Sequence, residues 1–394
     1  MTRSPRSQIN FDYCPETRLV YGKGASARIG ELARELGAGR VLLVTDPGIV
    51  AAGHAEQVVQ TLEACGLVLT IFDEVHENPT TCDVDHCVKV AAAADIDTIV
   101  GLGGGSSLDT AKGCNFLLTN GGRMQDYWGV GKAAKPMLPL IAVPTTAGTG
   151  SECQSFALIA DETSHQKMAC GDPKAAARIA ILDPMLTLTQ PRTVAACTGL
   201  DAVTHAVEAA VTTRRNPLSQ LFAIEAFRLT HVALAGVLSE PDDIEARSCM
   251  QLGAAYAGIA IENAMLGAAH SASNPLTARH GVVHGAAVGM MLPHVVRFNA
   301  ESSVTRQNYA DLVRRVGLSE TGADDQAAID SLLDCLGNLL QAAAVPRSLE
   351  EYGVPRSALP DLAEEAARQW TARFNPRSIT EGDFLGLYER AFAK

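Results

Sequence analysis

An α/β half built on a parallel sheet, followed by an all-helical half, is the architecture this sequence predicts. Three observations carry it. Short apolar runs alternate with helical patterns from residue 25 to residue 183, glycine-rich turns follow two of those runs, and beyond Pro184 alanine- and leucine-rich helical periodicity continues to the C-terminus. Strand and helix alternating at this interval imply a parallel sheet covered on both faces, with right-handed crossovers.

The elements follow in order. A helix is expected over Ala25–Leu36, a strand over Arg40–Thr45 (RVLLVT), a helix over Ala51–Cys65 and a strand over Leu67–Phe72 (LVLTIF). A helix over Asp83–Ala94 and a strand over Asp97–Leu102 (DTIVGL) come next, then strands at Leu138–Val143 and Arg178–Asp183 (RIAILD). The boundary is placed near residue 185, giving an α/β domain over 1–185 and a helical domain over 186–394. Pro191, Pro217, Pro241, Pro275, Pro293 and Pro346 punctuate the second. Its most apolar window, Leu252–Ala269, contains Glu262 and Asn263 and is rich in Ala and Gly, so it reads as one buried core helix rather than a membrane span. Met1–Asn10 lacks the apolar core of a signal peptide and reads as a short disordered lead-in.

Composition narrows the function. A chain of 394 residues can bury two cores. Its ten cysteines show no C-x-x-C pair and no regular spacing, which argues for reduced thiols and a cytoplasmic location. The formal charge of −12 excludes nucleic acid and anionic membranes as expected partners, leaving a small molecule.

Two loops bear on that ligand. Gly103-Gly104-Gly105-Ser106-Ser107-Leu108-Asp109-Thr110-Ala111-Lys112 follows one strand and opens a helix. Consecutive glycines let the backbone approach a phosphate, and a helix N-terminus offers free N–H groups and positive dipole, so a dinucleotide pyrophosphate fits there. The spacing departs from G-x-G-x-x-G, and a tight turn without a ligand is the competing reading. Thr145-Thr146-Ala147-Gly148-Thr149-Gly150-Ser151-Glu152 follows the strand Leu138–Val143 and gathers hydroxyl and amide donors where open α/β sheets bind ligands. Asp46, just past a strand, would bind a ribose 2′-hydroxyl and repel a 2′-phosphate, which selects NAD over NADP; a helix cap is the alternative.

The helical half supplies a metal-ligand pattern. Asp201 and His205 lie four apart, on one face of a helix. His270 (Gly267–His270, GAAH) and His284 (Val282–Gly285, VVHG) sit in small, apolar surroundings. Three imidazoles and a carboxylate suit Fe²⁺ or Zn²⁺ better than Mg²⁺ or Ca²⁺, and leave a net positive site of the kind Lewis-acid catalysis needs.

Taken together, Tyr21-Gly22, Glu77-Asn78-Pro79-Thr80, GGGSSLDTAK, PTTAGTGSE, GLDAVTHAVE and HGAAVGMMLPHVVRFN resemble, over the whole chain, the iron-dependent group III alcohol dehydrogenases, related in fold to glycerol dehydrogenase and dehydroquinate synthase. The resemblance implies a dehydroquinate synthase-like fold with the active site between its two parts, and a nicotinamide-dependent alcohol/aldehyde oxidoreductase. It places metal ligands at Asp201, His205, His270 and His284. Cofactor contacts fall on Asp46, Asn78, Gly104, Gly105, Ser106, Asp109, Thr145, Thr146, Thr149 and Lys167. It also implies a homodimer or larger homo-oligomer, NAD in preference to NADP, and iron with zinc as the alternative. Maleylacetate-reductase-like and dehydroquinate-synthase-like chemistries share the fold. The first would want several arginines near the metal, where Glu262–Met291 holds only Arg279. The sequence departs from the family at Asn274, where many members carry a second histidine; an amide cannot relay a proton as imidazole can, and His280 is the neighbouring candidate. Phe156 and Ile261 read as pocket positions individual to this chain.

Overall fold

The computed structural model describes residues 11–392 apart from residues 165 and 321; the lead-in expected over residues 1–10 lies outside them. The first half contains β1 (Arg18–Tyr21), β2 (Arg40–Val44), β3 (Val68–Phe72), β4 (Thr98–Gly103), β5 (Gly129–Val130), β6 (Leu140–Pro144), β7 (Phe156–Ala160), β8 (Lys167–Gly171) and β9 (Ile179–Leu182). Among them run α1 (Ile29–Glu35), α2 (Pro47–Ala51), α3 (His54–Ala64), α4 (Thr81–Ala93) and α5 (Gly105–Asn120). Six strands form one parallel sheet in the order β1-β9-β6-β4-β2-β3.

Apolar runs make this sheet because both of its faces are covered. In β2, Val41 and Leu43 join one apolar cluster with Ile29, Leu32 and Leu62, while Leu42 and Val44 join another with Leu108 and Ala111. Each fully buried side chain of this size contributes about 1.5–3 kcal/mol. The strand order turns around between β2 and β4, and the crevice beyond the carboxyl ends at such a reversal is where open α/β sheets take ligands. Asp46 follows β2 and the triple glycine ends β4, so both arrive at that crevice.

The helical half comprises α6 (Arg192–Ala209), α7 (Pro217–Ser239), α8 (Ile244–Ala264), α9 (Ala268–His280), α10 (His284–Ala300), α11 (Ser303–Arg315), α12 (Asp325–Ala343), α13 (Leu359–Arg368) and α14 (Glu381–Phe392). Helix α6 packs against α7, α8 and α10, and every residue from Gly199 to Ala209 is buried. A helix enclosed on all sides cannot leave charged groups in water, so those it carries need partners. Among the described residues α7 is the one helix long and apolar enough to cross a membrane by itself; its Ala223, Ala226, Phe227, Leu234 and Val237 belong to the helical core.

Several local expectations are corrected. The helix expected over Ala51–Cys65 starts later, as α3 after Gly53 with φ 80°, and a separate short helix, α2, precedes it. The window Leu252–Ala269 is buried as expected but breaks: α8 ends at Ala264, Met265 adopts φ 68°, and α9 leaves at 106° to α8. Pro275 and Pro293 lie inside α9 and α10 rather than between helices, both buried, so packing carries the helix through them. Strand β1 and the three-stranded sheet β5-β8-β7, with β7 and β8 antiparallel, were not anticipated.

Candidate active site

Three helices converge on one point. Asp201 and His205 project from the middle of α6, His270 from the first turn of α9 and His284 from the first residue of α10. The Nε2 atoms of His205 and His270 each lie 3.3 Å from Asp201 Oδ1, and that of His284 lies 3.9 Å away. Asp201, His270 and His284 offer donor atoms all within 4.8 Å of one another. His205 stacks on His270 with ring centroids 4.8 Å apart. The close approach of α10 to α6 depends on Gly285, because a Cβ there would stand 1.9 Å from the Cys197 carbonyl oxygen.

Electrostatics prepare the group for a cation. Burial pushes Asp201 up, but His205, His270 and His284 outweigh it and hold the carboxyl far below its ordinary range. Burial pushes the imidazoles of His205 down to about 4 and His284 down to about 3, so both are neutral and available as ligands. Burial also lowers His270, yet Glu208 and Asp201 prevail and raise it to about 9, so two carboxylates draw positive charge to this ring, and a cation at Nε2 would take the place of the proton.

Buried Asp201 Oδ1 and His270 Nε2, both at the point of convergence, have no hydrogen-bond partner. Buried polar atoms left unpaired at a shared point fit a divalent ion, and one carboxylate with three imidazoles fits iron or zinc.

Glu208, to which the sequence reading gave no role, orients this set. Its carboxylate accepts from His270 Nδ1 at 2.6 Å, from Ala269 N at 2.7 Å and from Gly267 N at 3.1 Å. It thus fixes the tautomer that turns Nε2 toward Asp201. The signal was present: Glu208 lies seven residues after Asp201 and three after His205, on the same helix face.

The glycine turn is equally well defined. Gly103 has φ 146°, and a Cβ there would collide with Ser107 and Asp46. Thr146 lies against Gly104 and Thr149 against Gly105, so the two predicted loops touch, and Thr145 N donates to the Gly103 carbonyl at 3.0 Å. Asn78, with φ 54°, donates its N–H to Ser106 Oγ at 3.3 Å.

Asp46 is the cap of α2, accepting from Ile49 N at 3.1 Å and from Ser107 Oγ at 3.0 Å. Asp109 is buried beneath the turn, where it accepts from Ser151 Oγ at 2.7 Å. Fully buried Lys112, also missed, donates to Ser151 O, Ser151 Oγ and Phe156 O at 2.6, 2.8 and 2.9 Å and so ties the two loops together.

The threonine loop touches the helix that carries Asp201 and His205. Gly148, in the threonine loop, packs on Thr198, less than a turn before Asp201: a Cβ on Gly148 would sit 2.3 Å from Thr198 Cβ. Burial raises Asp109 and lowers His284, and the Lys167 ammonium acts on both, opposing the first shift and adding to the second. Asn274 donates to Gln369 Oε1 at 3.0 Å, and His280 is the half-buried last residue of α9.

Comparison with known proteins agrees with this geometry. Residues 15–184 match the family "Iron-containing alcohol dehydrogenase", and residues 195–392 match "Fe-containing alcohol dehydrogenase family, C-terminal". The NAD-dependent methanol dehydrogenase of Bacillus methanolicus is 34% identical over 94% of this chain and 97% of its own. A crystal structure of 1,3-propanediol oxidoreductase superposes with a TM-score of 0.92 at 31% identity, over 95% of this chain and 97% of that one. Sulfoacetaldehyde reductase from Bifidobacterium kashiwanohense, in complex with NAD⁺, superposes with a TM-score of 0.88 at 27% identity, over 97% of this chain and 99% of that one. The fold is the expected dehydroquinate synthase-like one. With family matches over both halves and relatives aligned from end to end, the chain belongs to the iron-containing alcohol dehydrogenases, oxidoreductases acting on the CH–OH group.

Proposed function

We propose that Asp201, His205, His270 and His284 hold one divalent cation, iron in preference to zinc, and that NAD binds across the adjoining crevice. Gly104, Gly105 and Ser106 would hold its pyrophosphate, and Asn78, Thr145, Thr146, Thr149 and Lys167 would complete its site. The observation that supports this most is the contact of Gly148 with Thr198, which brings the threonine loop onto the helix that carries Asp201. When bound, the cation supplies Lewis acidity and the nicotinamide supplies the hydride chemistry.

The chain's own residues do the positioning. Glu208 holds His270, and Lys112 clamps the threonine loop to α5. Asp46 faces the crevice with a negative charge that favours a ribose 2′-hydroxyl over a 2′-phosphate, hence NAD over NADP. Asp109 supports the turn from beneath through Ser151. The substrates are small alcohols and the corresponding aldehydes. Arg279 is engaged with Glu365 and Asp361 at the surface, which counts against a dianionic substrate.

The boundary near residue 185 is supported by the last strand ending at Leu182 and the first long helix beginning at Arg192. A cytoplasmic setting is supported by ten free cysteines, of which Cys87, Cys114, Cys153 and Cys170 are buried.

The test is metal analysis of protein purified without chelator, followed by NAD and NADP with a panel of alcohols and aldehydes. One equivalent of iron and NAD-linked alcohol turnover are expected. Absence of bound metal in active protein, or no NADH from any alcohol, overturns the reading.

A further inference from the structure

The seam between the two halves carries an aromatic contact that the metal and cofactor sites do not use. Phe156, on β7, stacks on Trp370 with ring centroids 5.8 Å apart and planes at 28°. Phe374 meets the same indole edge-on at 5.7 Å and 89°. Among the described residues it is the one ring pair that joins the sheet-bearing half to the helical half. All three rings are half-buried, so they form a wall rather than part of a core.

That wall is tied to the helix that carries His270. Thr371 shares a 2.7 Å hydrogen bond with Ser271, the residue after His270, and Gln369 accepts from Asn274 one helical turn further along α9. Trp370 is therefore pinned on both sides to the helix that presents His270. On the opposite side Phe156 is fixed through its carbonyl, which accepts from Lys112, and through its neighbour Ser155, whose hydroxyl donates to Glu262 on α8. Two large rings held this firmly and left partly wet carry a hydration cost that an apolar ligand would relieve.

We propose that the Phe156–Trp370 stack is the size-selecting wall of the substrate cleft and restricts the enzyme to short, unbranched primary alcohols. This rests on the alcohol dehydrogenase reading above. A tail of a few carbons lies against the ring faces; a longer or branched tail must part rings that are already in contact. Discrimination per methylene in such pockets is about 10-fold or more.

The test is the ratio of kcat/KM for 1-hexanol to that for ethanol, measured with NAD on the metal-loaded enzyme. Wild type should favour ethanol. Trp370→Ala should raise the ratio about tenfold, and Trp370→Phe, which keeps a stacking ring, should keep it within about threefold of wild type. Should Trp370→Ala not fold, Phe156→Leu reads the same ratio from the other side of the stack. A ratio unchanged in Trp370→Ala and Phe156→Leu overturns the inference while leaving the enzyme an alcohol dehydrogenase. If wild type oxidises neither alcohol, both readings fall.

Discussion

The helical half is equipped to hold its ligand with side chains, whereas the α/β half offers backbone and shape. Helices α6, α9 and α10 bring four ionisable groups to a point, with Asp201 Oδ1 at 3.3 Å from two imidazoles. The turn from β4 to α5 has no such groups; it presents the free N–H groups of a helix start and glycines that keep the approach clear. A site made of side chains concentrates its energy in a few atoms and is lost when one is removed. A site made of backbone spreads its energy over many N–H groups and is eroded by degrees.

The largest effect expected from this contrast is at His270. His270→Ala removes one of the four proposed ligands and leaves Asp201 with less of the positive field that holds it ionised. Turnover should fall on the order of 10³-fold or more, because the Lewis acid contributes several kcal/mol to the transition state. NAD affinity, read by quenching of the enzyme's fluorescence or by calorimetry, should change little. Wild-type kcat/KM in a variant shown to contain no metal would break the assignment.

Glu208→Gln sharpens the same side by a smaller step. Glutamine still fills the space, but it carries no charge and keeps one acceptor oxygen where the carboxylate has two, so it cannot take the three donors at 2.6, 2.7 and 3.1 Å equally well. Metal affinity should drop about 10–100-fold, read by competition with a chelator, and added metal should restore much of the activity. Failure of excess metal to rescue would mean that Glu208 acts on substrate rather than on His270.

How far each half could be read in advance follows from the same contrast. Side-chain chemistry shows in residue type and spacing, so the convergence of Asp201, His205, His270 and His284 was legible. Glu208 was passed over because a carboxylate that binds an imidazole looks in sequence like any helical acid. The central strands were legible because both faces are buried and the runs are uniformly apolar. Strand β1 was not, since RLVY at the sheet edge is half polar with Tyr21 exposed. The hairpin β7–β8 hid for a different reason: its strands, FALIA and KMACG, read equally well as helix. The break at Met265 was invisible because the residue taking positive φ is not a glycine.

On the cofactor side, Gly105→Ala tests the backbone argument. The new Cβ would stand 2.8 Å from Thr149 Cγ2, so the threonine must shift and the turn opens slightly. KM for NAD should rise about tenfold, equivalent to about 1.4 kcal/mol, with metal content unchanged. Loss of metal in this variant would show that the two sites are less separable than the contrast supposes.

The smallest effect expected is the most discriminating about Asp46, which has two occupations. Its Oδ1 caps α2 by accepting from Ile49 N, and its charge stands at the crevice where a ribose would lie. Asparagine caps a helix as well as aspartate does, so Asp46→Asn should leave stability within about 0.5 kcal/mol while removing the charge. If the charge repels a 2′-phosphate, the ratio of kcat/KM for NAD to that for NADP should fall severalfold, mainly through improved use of NADP. An unchanged ratio with unchanged melting temperature would assign Asp46 to the helix cap alone, and cofactor choice would then have to come from backbone and shape, like the rest of that half.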